Sequence, residues 1–322
     1  MKKYFITGFS GFVSQHFLRH LNETHPGSHI KGIDVQLSTS DAWELANIAV
    51  EFEKVDMLDC EALEHALEVF SPDYVIHLAS FSSVAYSWRH PVDCFKNNTN
   101  IFLNLIDAIR RLALTCRILS VGSSEEYGIA KEENLPLTEA NPLEAASPYA
   151  AARISQEFLS NVYCKGYGLD IVMTRSFNHI GPGQREDFVI PSIVKQMVRT
   201  RARGAASGEV AIGDASIVRD FIDVRDVVTA YQLLLEKGDT AELYNVCSGR
   251  GVSIKEIITK LEHLMGIKVR LRTEKRLLRP TANRIVIGSN RKINLKTGWE
   301  PRIGLEKSLS DIILDCEKGN LH

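Results

Sequence analysis

The sequence contains few cysteines, and none of them is spaced to bind a metal. Of its 322 residues only six are cysteines, scattered along the chain at Cys60, Cys94, Cys116, Cys164, Cys247 and Cys316. There is no CxxC pair, and no histidine follows at zinc-site spacing. The chain is therefore not a small disulfide scaffold. No metal site is predicted, and a reducing compartment, the cytoplasm, is expected.

An excess of charge of one sign and long apolar runs are also absent. The formal net charge is −2, with 38 basic and 40 acidic residues, so no field of one sign attracts a nucleic acid or an anionic membrane. No apolar run reaches the roughly 18 residues of a membrane-spanning helix, and Gly8 and Gly11 interrupt the apolar start before a signal peptide has formed. With 44% hydrophobic and 24% charged residues, the composition is globular. We expect neither a nucleic-acid partner nor a membrane.

The first half of the chain alternates short apolar runs with segments of helical spacing. The predicted strands are residues 4–7, 29–34, 50–56, 74–79 and 117–122, and amphipathic helices are predicted at 60–70 and 98–112. Strands separated by helices predict an α/β fold with a Rossmann-type, doubly wound parallel sheet.

After about residue 176 the pattern loosens, and glycine and proline cluster at residues 181–183. A strand at 243–247, a helix at 253–265 and a basic stretch at 269–279 follow. We predict a nucleotide-binding domain of residues 1–175 and 217–247. A smaller α/β substrate-binding domain of residues 176–216 and 248–322 is expected to pack closely against it.

A glycine-rich turn follows the first strand and opens the first helix. It comprises Gly8, Phe9, Ser10, Gly11, Phe12 and Val13, with Ser14 at the place of a third glycine. Glycines at these positions permit a tight turn and let a pyrophosphate approach the helix N-terminus. A simple glycine turn is the alternative, but the strand, turn and helix all fall where a dinucleotide fingerprint needs them.

Two aspartates end the next two strands. Asp34 stands about 20 residues beyond the glycines, where a carboxylate accepts hydrogen bonds from ribose hydroxyls and repels a 2′-phosphate. This favours NAD(H), with NADP(H) as the alternative cofactor, unless Asp34 only caps its strand. Asp56 is a candidate adenine contact, and a cap or turn role is equally compatible with its position.

A tyrosine and an arginine stand four residues apart at the start of a later helix. Tyr149 and Arg153 share one helix face, and a cation beside a phenol favours the phenolate needed for proton transfer. Ser123 closes the fifth strand, at the sheet edge where such folds bind ligands. The alternative for the Tyr149 and Arg153 pair is an ordinary surface contact.

Together these segments resemble the extended short-chain dehydrogenase/reductases that act on nucleotide sugars. The shared motifs are TGxxGF at residues 7–12, SSEEYG at 123–128 and SPYxxx(K/R) at 147–153. Residues 175–184, 218–226 and 244–249 are most similar to the GDP-4-dehydro-6-deoxy-D-mannose reductases of that family, which form GDP-D-rhamnose. The likeness covers nearly the whole chain.

The resemblance implies NAD(P)H-dependent reduction of the C4 keto group of a GDP-4-keto-6-deoxy-hexose. In this mapping Tyr149 is the acid, Ser123 a second oxyanion donor and Arg153 the electrostatic partner, while Glu125 matches a glutamate that abstracts a proton in dehydratase relatives. Further cofactor contacts implied are Met57, Leu78, Ala79, Ser80 and Asn98. The implied substrate contacts are Ser124, Asn178, Val189, Arg219 and Arg279, although Asn178 also suits a plain turn and Arg279 a solvated surface.

One departure from the family concerns Arg153, since lysine is usual at this position. Arginine keeps the charge, but its planar fork is not equivalent to an ammonium. A nucleotide-sugar 4,6-dehydratase, a C4 epimerase and a non-catalytic binding module therefore remain alternatives.

The resemblance also implies a homodimer that pairs the helices at 98–111 and 149–163. Phe102, Leu105, Phe158 and Val162 are either its contacts or intramolecular core.

Overall fold

The computed structural model describes residues 1–36, 45–278 and 283–319. The strands within them are β1 (Lys3–Thr7), β2 (His29–Asp34), β3 (Ala49–Lys54), β4 (Tyr74–His77), β5 (Arg117–Ser123), β6 (Asp170–Ser176), β7 (Asn178–Ile180), β8 (Ser207–Ile212), β9 (Val218–Asp223), β10 (Leu243–Val246), β11 (Gly251–Ser253), β12 (Lys268–Thr273) and β13 (Ile285–Val286). The helices are α1 (Phe12–Thr24), α2 (Cys60–Phe70), α3 (Val84–Arg89), α4 (Pro91–Arg111), α5 (Pro148–Tyr167), α6 (Val189–Ala202), α7 (Val224–Lys237), α8 (Ile254–Met265), α9 (Arg291–Thr297) and α10 (Leu305–Gly319).

Seven strands form one parallel sheet in the order β10-β6-β5-β4-β1-β2-β3. The chain winds outward from β1 to β3 on one side, then returns to β4 and winds outward to β10 on the other. The carboxyl ends of β1 and β4 therefore flank the switch point, where doubly wound folds bind ligands. The predicted Rossmann-type sheet is confirmed, and its first five strands lie within two residues of the predicted bounds.

Helices cover both faces of this sheet. One apolar layer joins the sheet to α1 and α7, and the other joins it to α2, α4 and α5. The inner strands β1, β2 and β4 are almost entirely buried, as continuous apolar runs in a parallel sheet require. β3 lies at the edge, and its residues are exposed or half-buried.

Local signals explain where the helices begin. Ser147 caps α5 by accepting a hydrogen bond from the Ala150 N–H, and Pro148 occupies the first turn. α4 begins at Pro91 rather than at the predicted Asn98, because proline fits the first turn of a helix, where its missing N–H costs nothing. α4 therefore carries Asn98 in its interior.

The rest of the chain forms a smaller α/β region. β9 lies at the centre of a sheet with β7, β11 and β13, and β8 pairs with β12. A separate apolar cluster fills the space between α6, α8 and α10. Residues 217–247 supply β9 to this smaller sheet, and then α7 and β10 to the large one.

Three aspartates at intervals of three residues tie this junction to distant parts of the chain. Asp220 accepts four hydrogen bonds, two from Ser248 and one each from the Gly249 and Gly288 N–H groups. Among residues distant in the chain, Ser308 donates a hydrogen bond to Asp223, and the Arg302 and Ile303 N–H groups donate to Asp226. In this segment, which resembles reductases, the aspartates hold the fold together.

Within the three described ranges, every helix is too short or too polar to span a bilayer.

Candidate functional site

The turn between β1 and α1 brings the backbone close to the end of β4. Gly8 has φ +69°, and a Cβ there would lie 2.7 Å from the backbone nitrogen of Ala79. The Gly11 N–H donates to the Gly8 carbonyl at 3.0 Å and closes the turn. The requirement for glycine at position 8 is thus both conformational and steric.

The N-terminus of α1 is open to an anion. Gly11 is the N-cap residue and supplies no side-chain cap, and the first turn, which includes Phe12 and Val13, has no acidic residue. The N–H groups of the first helical turn and the helix dipole therefore favour a phosphate group here. Ser14 is fully buried, and its small side chain lets the helix approach the sheet.

Phe9 faces the interior rather than the cleft. Its fully buried ring lies 6.0 Å from that of Phe52, and a Cβ at Gly32 would overlap it. Gly32 thus makes room on β2 for the aromatic ring. The predicted contact of Phe9 with a dinucleotide would therefore be made by its backbone.

Asp34 ends β2 and faces the glycine turn. Its Oδ2 accepts a hydrogen bond from the Ser10 N–H at 3.0 Å, and its Oδ1 accepts one from the Val35 N–H at 2.7 Å. A carboxylate here is placed to accept hydrogen bonds from a ribose. Asp56, which follows β3, accepts a hydrogen bond from the Leu58 N–H at 2.9 Å, so it does have the turn role that the sequence left open.

The residues after β4 line the switch point. The Leu78 and Ala79 N–H groups donate to the carbonyl and the hydroxyl of Thr7, each at 3.2 Å. The Ser80 Oγ is buried and has no hydrogen-bond partner in the described parts of the chain, which leaves it to a ligand. Met57, on the neighbouring loop after β3, is buried.

Asn98 fixes the loop that follows Ser80. Its Oδ1 accepts a hydrogen bond from the Phe81 N–H at 2.8 Å, and its Nδ2 donates to the Phe81 carbonyl at 3.2 Å. Asn98 is itself almost fully buried. Its hydrogen bonds therefore fix the position of the loop that borders the cleft.

These features fit a dinucleotide cofactor. The missing side chain at Gly8 permits a close approach to the backbone of the turn. The start of α1 suits a pyrophosphate, and Asp34 suits a ribose. The unpartnered Ser80 hydroxyl lies at the same switch point. All of these groups lie at the carboxyl edge of the large sheet.

Tyr149 and Arg153 form a buried pair at the start of α5. The Arg153 Nε donates to the Tyr149 hydroxyl at 3.2 Å, and the guanidinium carbon lies 5.4 Å from the ring centroid. The two residues are only 6% and 5% exposed, so the pair is not the surface contact considered from the sequence. Val84 and Cys94 pack with the tyrosine.

Sequence reasoning did not single out the groups that hold Arg153. Its Nη1 donates to the Val121 carbonyl at 3.0 Å and to the Gln156 Oε1 at 2.6 Å. These contacts tie α5 to β5 two residues before Ser123. The helical spacing of positions 149, 153 and 156 was the available signal, because it places the three side chains on one face.

Ser123 begins a short turn that carries three of the predicted site residues. Its Oγ accepts a hydrogen bond from the Glu125 N–H at 3.2 Å, and its N–H donates to the Glu126 Oε1 at 2.5 Å. Ser124 is buried and Glu125 is half-buried. The turn lies at the carboxyl end of β5, the same strand that Arg153 contacts.

A buried charge cluster supports this turn from below. Arg175 forms two hydrogen bonds of 2.9 Å with Glu157, and its Nε lies 3.9 Å from a Glu126 carboxyl oxygen. Burial, together with the nearby Glu157, raises the pKa of Glu126 well above its ordinary value. Glu126 therefore binds a proton more readily than an exposed glutamate while it holds the Ser123 N–H.

His77, at the end of β4, lies close to the same helix. It is fully buried, and one ring nitrogen pairs with the Thr7 hydroxyl at 2.9 Å. Burial, and to a lesser extent the charge of Arg153, lowers the pKa of His77 to about 3. The ring is therefore neutral near pH 7, and Arg153 is the cation beside Tyr149.

Ser124 lies in the turn after β5, whereas the other predicted substrate contacts in the described residues lie on the smaller region. Asn178 is exposed on β7 and pairs in register with Phe221 of β9, the strand that carries Arg219. Arg219 is mostly buried, and its Nη1 donates to the Val218 carbonyl at 2.9 Å. Val189 is exposed at the start of α6. Arg279 lies outside the described residues.

Comparison with known proteins supports this description. A family model described as GDP-mannose 4,6 dehydratase matches residues 5–312. The GDP-6-deoxy-D-mannose reductase of Pseudomonas aeruginosa is 31% identical over 316 residues, which cover 98% of this chain and 97% of that protein. The dTDP-glucose 4,6-dehydratase of Haemophilus influenzae is 26% identical and covers 97% of both chains.

Solved structures show the same likeness. RMD from Pseudomonas aeruginosa, complexed with NADPH, is similar with a TM-score of 0.86 and 31% identity, covering 99% of this chain and 100% of that one. The UDP-glucose 4-epimerase of Thermotoga maritima with UDP-glucose has a TM-score of 0.84 and 27% identity, covering 99% of both chains. The resemblance to nucleotide-sugar dehydrogenase/reductases is confirmed. With nearly its whole length matched by the family model, the chain belongs to the GDP-mannose 4,6-dehydratase family.

Proposed function

We propose that this protein reduces the C4 keto group of a GDP-4-keto-6-deoxy-hexose, of the type that yields GDP-D-rhamnose, with an NAD(P)H cofactor. The observation that carries the proposal is the buried hydrogen bond between Arg153 Nε and the Tyr149 hydroxyl, tied to β5 just before Ser123. Among the relatives, the Pseudomonas reductase supports this reaction by its full-length similarity.

The chain offers a complete set of groups for the cofactor. The proposed contacts are Gly8, Phe9, Ser10, Gly11, Phe12, Val13, Asp34, Asp56, Met57, Leu78, Ala79, Ser80, Asn98, Tyr149 and Arg153. A reduced nicotinamide bound there supplies the hydride that adds to C4. Because Asp34 faces the ribose position, we propose NAD(H) as the favoured cofactor, although the similar Pseudomonas structure holds NADPH.

Side chains of the protein supply the proton in this reaction. Tyr149 gives its hydroxyl proton to O4 as the C4 carbonyl becomes an alcohol, and the Arg153 charge stabilises the phenolate that remains. Ser123 donates a second hydrogen bond to the developing alkoxide. Glu125 lies in the same turn, but its position suits a reductase and a dehydratase equally.

The nucleotide sugar is proposed to bind between the two regions of the chain. Ser124 would contact it from the larger region, and Asn178, Val189, Arg219 and Arg279 from the smaller one. Guanidinium groups suit a diphosphate because their planar forks match its oxygens. The proposed division is a cofactor domain of residues 1–175 and 217–247, and a substrate domain of 176–216 and 248–322. The cysteine pattern favours a cytoplasmic location.

The test is cofactor oxidation followed by absorbance at about 340 nm. GDP-4-keto-6-deoxy-mannose is produced in place by a separate dehydratase and mixed with the purified protein and NADH or NADPH. Oxidation that requires the keto sugar and disappears in Tyr149→Phe would establish the reductase. Unchanged oxidation in Tyr149→Phe would refute the proposed acid.

The family model favours a second candidate, a 4,6-dehydratase acting on GDP-mannose. A dehydratase or a C4 epimerase keeps its cofactor bound and cycles it, so product would form from a GDP-sugar without added NADH. Incubation with GDP-mannose alone distinguishes these candidates from the reductase. Binding of NAD and GDP-sugars without any turnover would instead indicate a non-catalytic module. The contact between Arg153 and Tyr149 argues against this reading, since the arginine preserves the charge beside the acid.

We also propose that the protein is a homodimer through α5. Phe102 and Leu105 are fully buried in the core of the chain, whereas Phe158 and Val162 are each 57% exposed on α5. Two such faces would bury these side chains against each other. Sedimentation should show a dimer that Val162→Glu converts to a monomer, and a monomeric wild-type protein would refute this.

A further inference from the structure

One face of α5 is polar and yet buried. Tyr149, Arg153, Gln156 and Ser160 recur at intervals of four, three and four residues, so they form a stripe along one side of the helix. All four are less than 10% exposed, and Gln156 and Ser160 are essentially inaccessible. A buried polar stripe is retained only if each member finds partners.

Gln156 is the link that satisfies the middle of the stripe. Its Oε1 accepts a hydrogen bond from the Arg153 Nη1 at 2.6 Å. Its Nε2 donates to the Ser120 Oγ at 2.9 Å and to the Val121 carbonyl at 3.1 Å. The amide is therefore held at both ends, between the guanidinium and β5.

The contacts of Arg153 give this link its importance. Nη1 has two acceptors, the Val121 carbonyl and the Gln156 Oε1, and both are neutral. The nearby carboxylates have other partners, since Glu157 pairs with Arg175 and Glu126 accepts the Ser123 N–H. The orientation of the guanidinium thus depends on neutral acceptors whose positions are themselves fixed.

We propose that Gln156 is a positioning residue that holds the Arg153 guanidinium so that its Nε points at the Tyr149 hydroxyl. A long arginine side chain has many rotamers, and a bond to Nη1 restricts those in which Nε faces the phenol. This pairing explains how arginine serves where lysine is usual, since the shorter ammonium lacks a forked group for Gln156 to hold. The effect on catalysis rests on the proposed reductase function.

A double-mutant cycle in urea tests the pairing without any activity measurement. Gln156→Met removes both polar atoms at similar volume, and it is compared in the Arg153 protein and in Arg153→Met. The lost bond to Ser120 is common to both backgrounds and cancels. The Val121 carbonyl also accepts a hydrogen bond from Arg153, so it loses both partners only in the double variant, which works against the expected difference. We expect Gln156→Met to raise the unfolding equilibrium constant by about tenfold more when Arg153 is present. Equal effects in the two backgrounds would overturn the proposal.

Turnover then tests the positioning role. Gln156→Met should lower kcat for the keto sugar by about tenfold and leave KM within about twofold, because the residue acts through Arg153 and not on the substrate. Ser160→Ala is the matched control, since Ser160 bonds the same Ser120 Oγ but not Arg153, and it should keep the wild-type kcat. An equal loss in Ser160→Ala, or no loss in Gln156→Met, would overturn the proposal.

Two further outcomes are separated by this design. If the wild-type protein does not oxidise the cofactor, the reductase function fails, and the unfolding cycle alone decides whether Gln156 holds Arg153. If Gln156→Met gives no soluble protein, Gln156→Ala replaces it with the same expectations, because the smaller side chain cannot overpack the site.

Discussion

The Asp34 carboxylate accepts a hydrogen bond from the Ser10 N–H at 3.0 Å, so the end of β2 is bound to the glycine turn. In the proposed cofactor site this carboxylate would lie close to a 2′-phosphate. We predict that kcat/KM is about tenfold higher with NADH than with NADPH, because the carboxylate repels the phosphate. Asp34→Ser should remove this preference.

The control for this prediction is Asp56→Asn. Asp56 lies after β3, where an adenine contact would be shared by both cofactors, so the variant should change both values of kcat/KM by the same factor. Initial rates compare each of the two variants with the wild-type protein, once with NADH and once with NADPH. A wild-type protein that prefers NADPH would show that the Asp34 side chain turns away from the ribose when the cofactor binds.

The close approach of Gly8 to Ala79 predicts a steep cost for any side chain at position 8. Gly8→Ala combines a positive φ with a Cβ 2.7 Å from backbone, and we expect a loss of about 3 kcal/mol in unfolding free energy. Gly27→Ala is the control, because Gly27 has φ +79° but no atom within 4 Å of a Cβ, and it should cost about 1 kcal/mol. Urea unfolding measures both, and equal losses would contradict the steric argument.

The glycine turn and the large sheet were predictable because their signals are local. A strand, a turn and a helix follow one another within residues 3–24, and hydrophobic spacing alone places them. The contacts of Asp220 could not be predicted in this way, since its partners Ser248 and Gly288 lie 28 and 68 residues further along the chain. The resemblance of residues 218–226 to reductases suggested function, whereas the structure shows aspartates that join segments.

Gln156 is an intermediate case. Its spacing from Arg153 places it on the right face of α5, but only the packing of that face against β5 shows that the side chain is buried and bonded. Exposed polar residues have the same spacing on many helices. Sequence alone therefore could not separate a positioning residue from a solvated one.

The four hydrogen bonds to Asp220 predict its role in stability. Asp220→Asn replaces one acceptor oxygen with an NH₂ group that faces N–H donors, so we expect a loss of about 2 to 3 kcal/mol. Asp214→Asn is the control, because in the described ranges the hydrogen bonds of Asp214 go to Ser216 in its own exposed turn, and it should cost less than about 1 kcal/mol. Thermal and urea unfolding of both variants check this, and a fully stable Asp220→Asn would contradict it.

His77 predicts how stability depends on pH. Its pKa is lowered to about 3 in the folded protein, whereas the unfolded chain binds a proton at about 6.5. Below that value the unfolded state gains protons that the folded state does not, so the free energy of unfolding falls as the pH falls. The contribution of His77 between pH 7 and pH 4.5 is about 2 to 3 kcal/mol.

His77→Gln, which removes the titrating ring, should therefore lose less stability over this range than the wild type. His65→Gln changes an exposed histidine and should follow the wild-type curve. Urea midpoints at several pH values make the comparison, and parallel curves for His77→Gln and the wild type would show that this buried ring does not govern the acid limb.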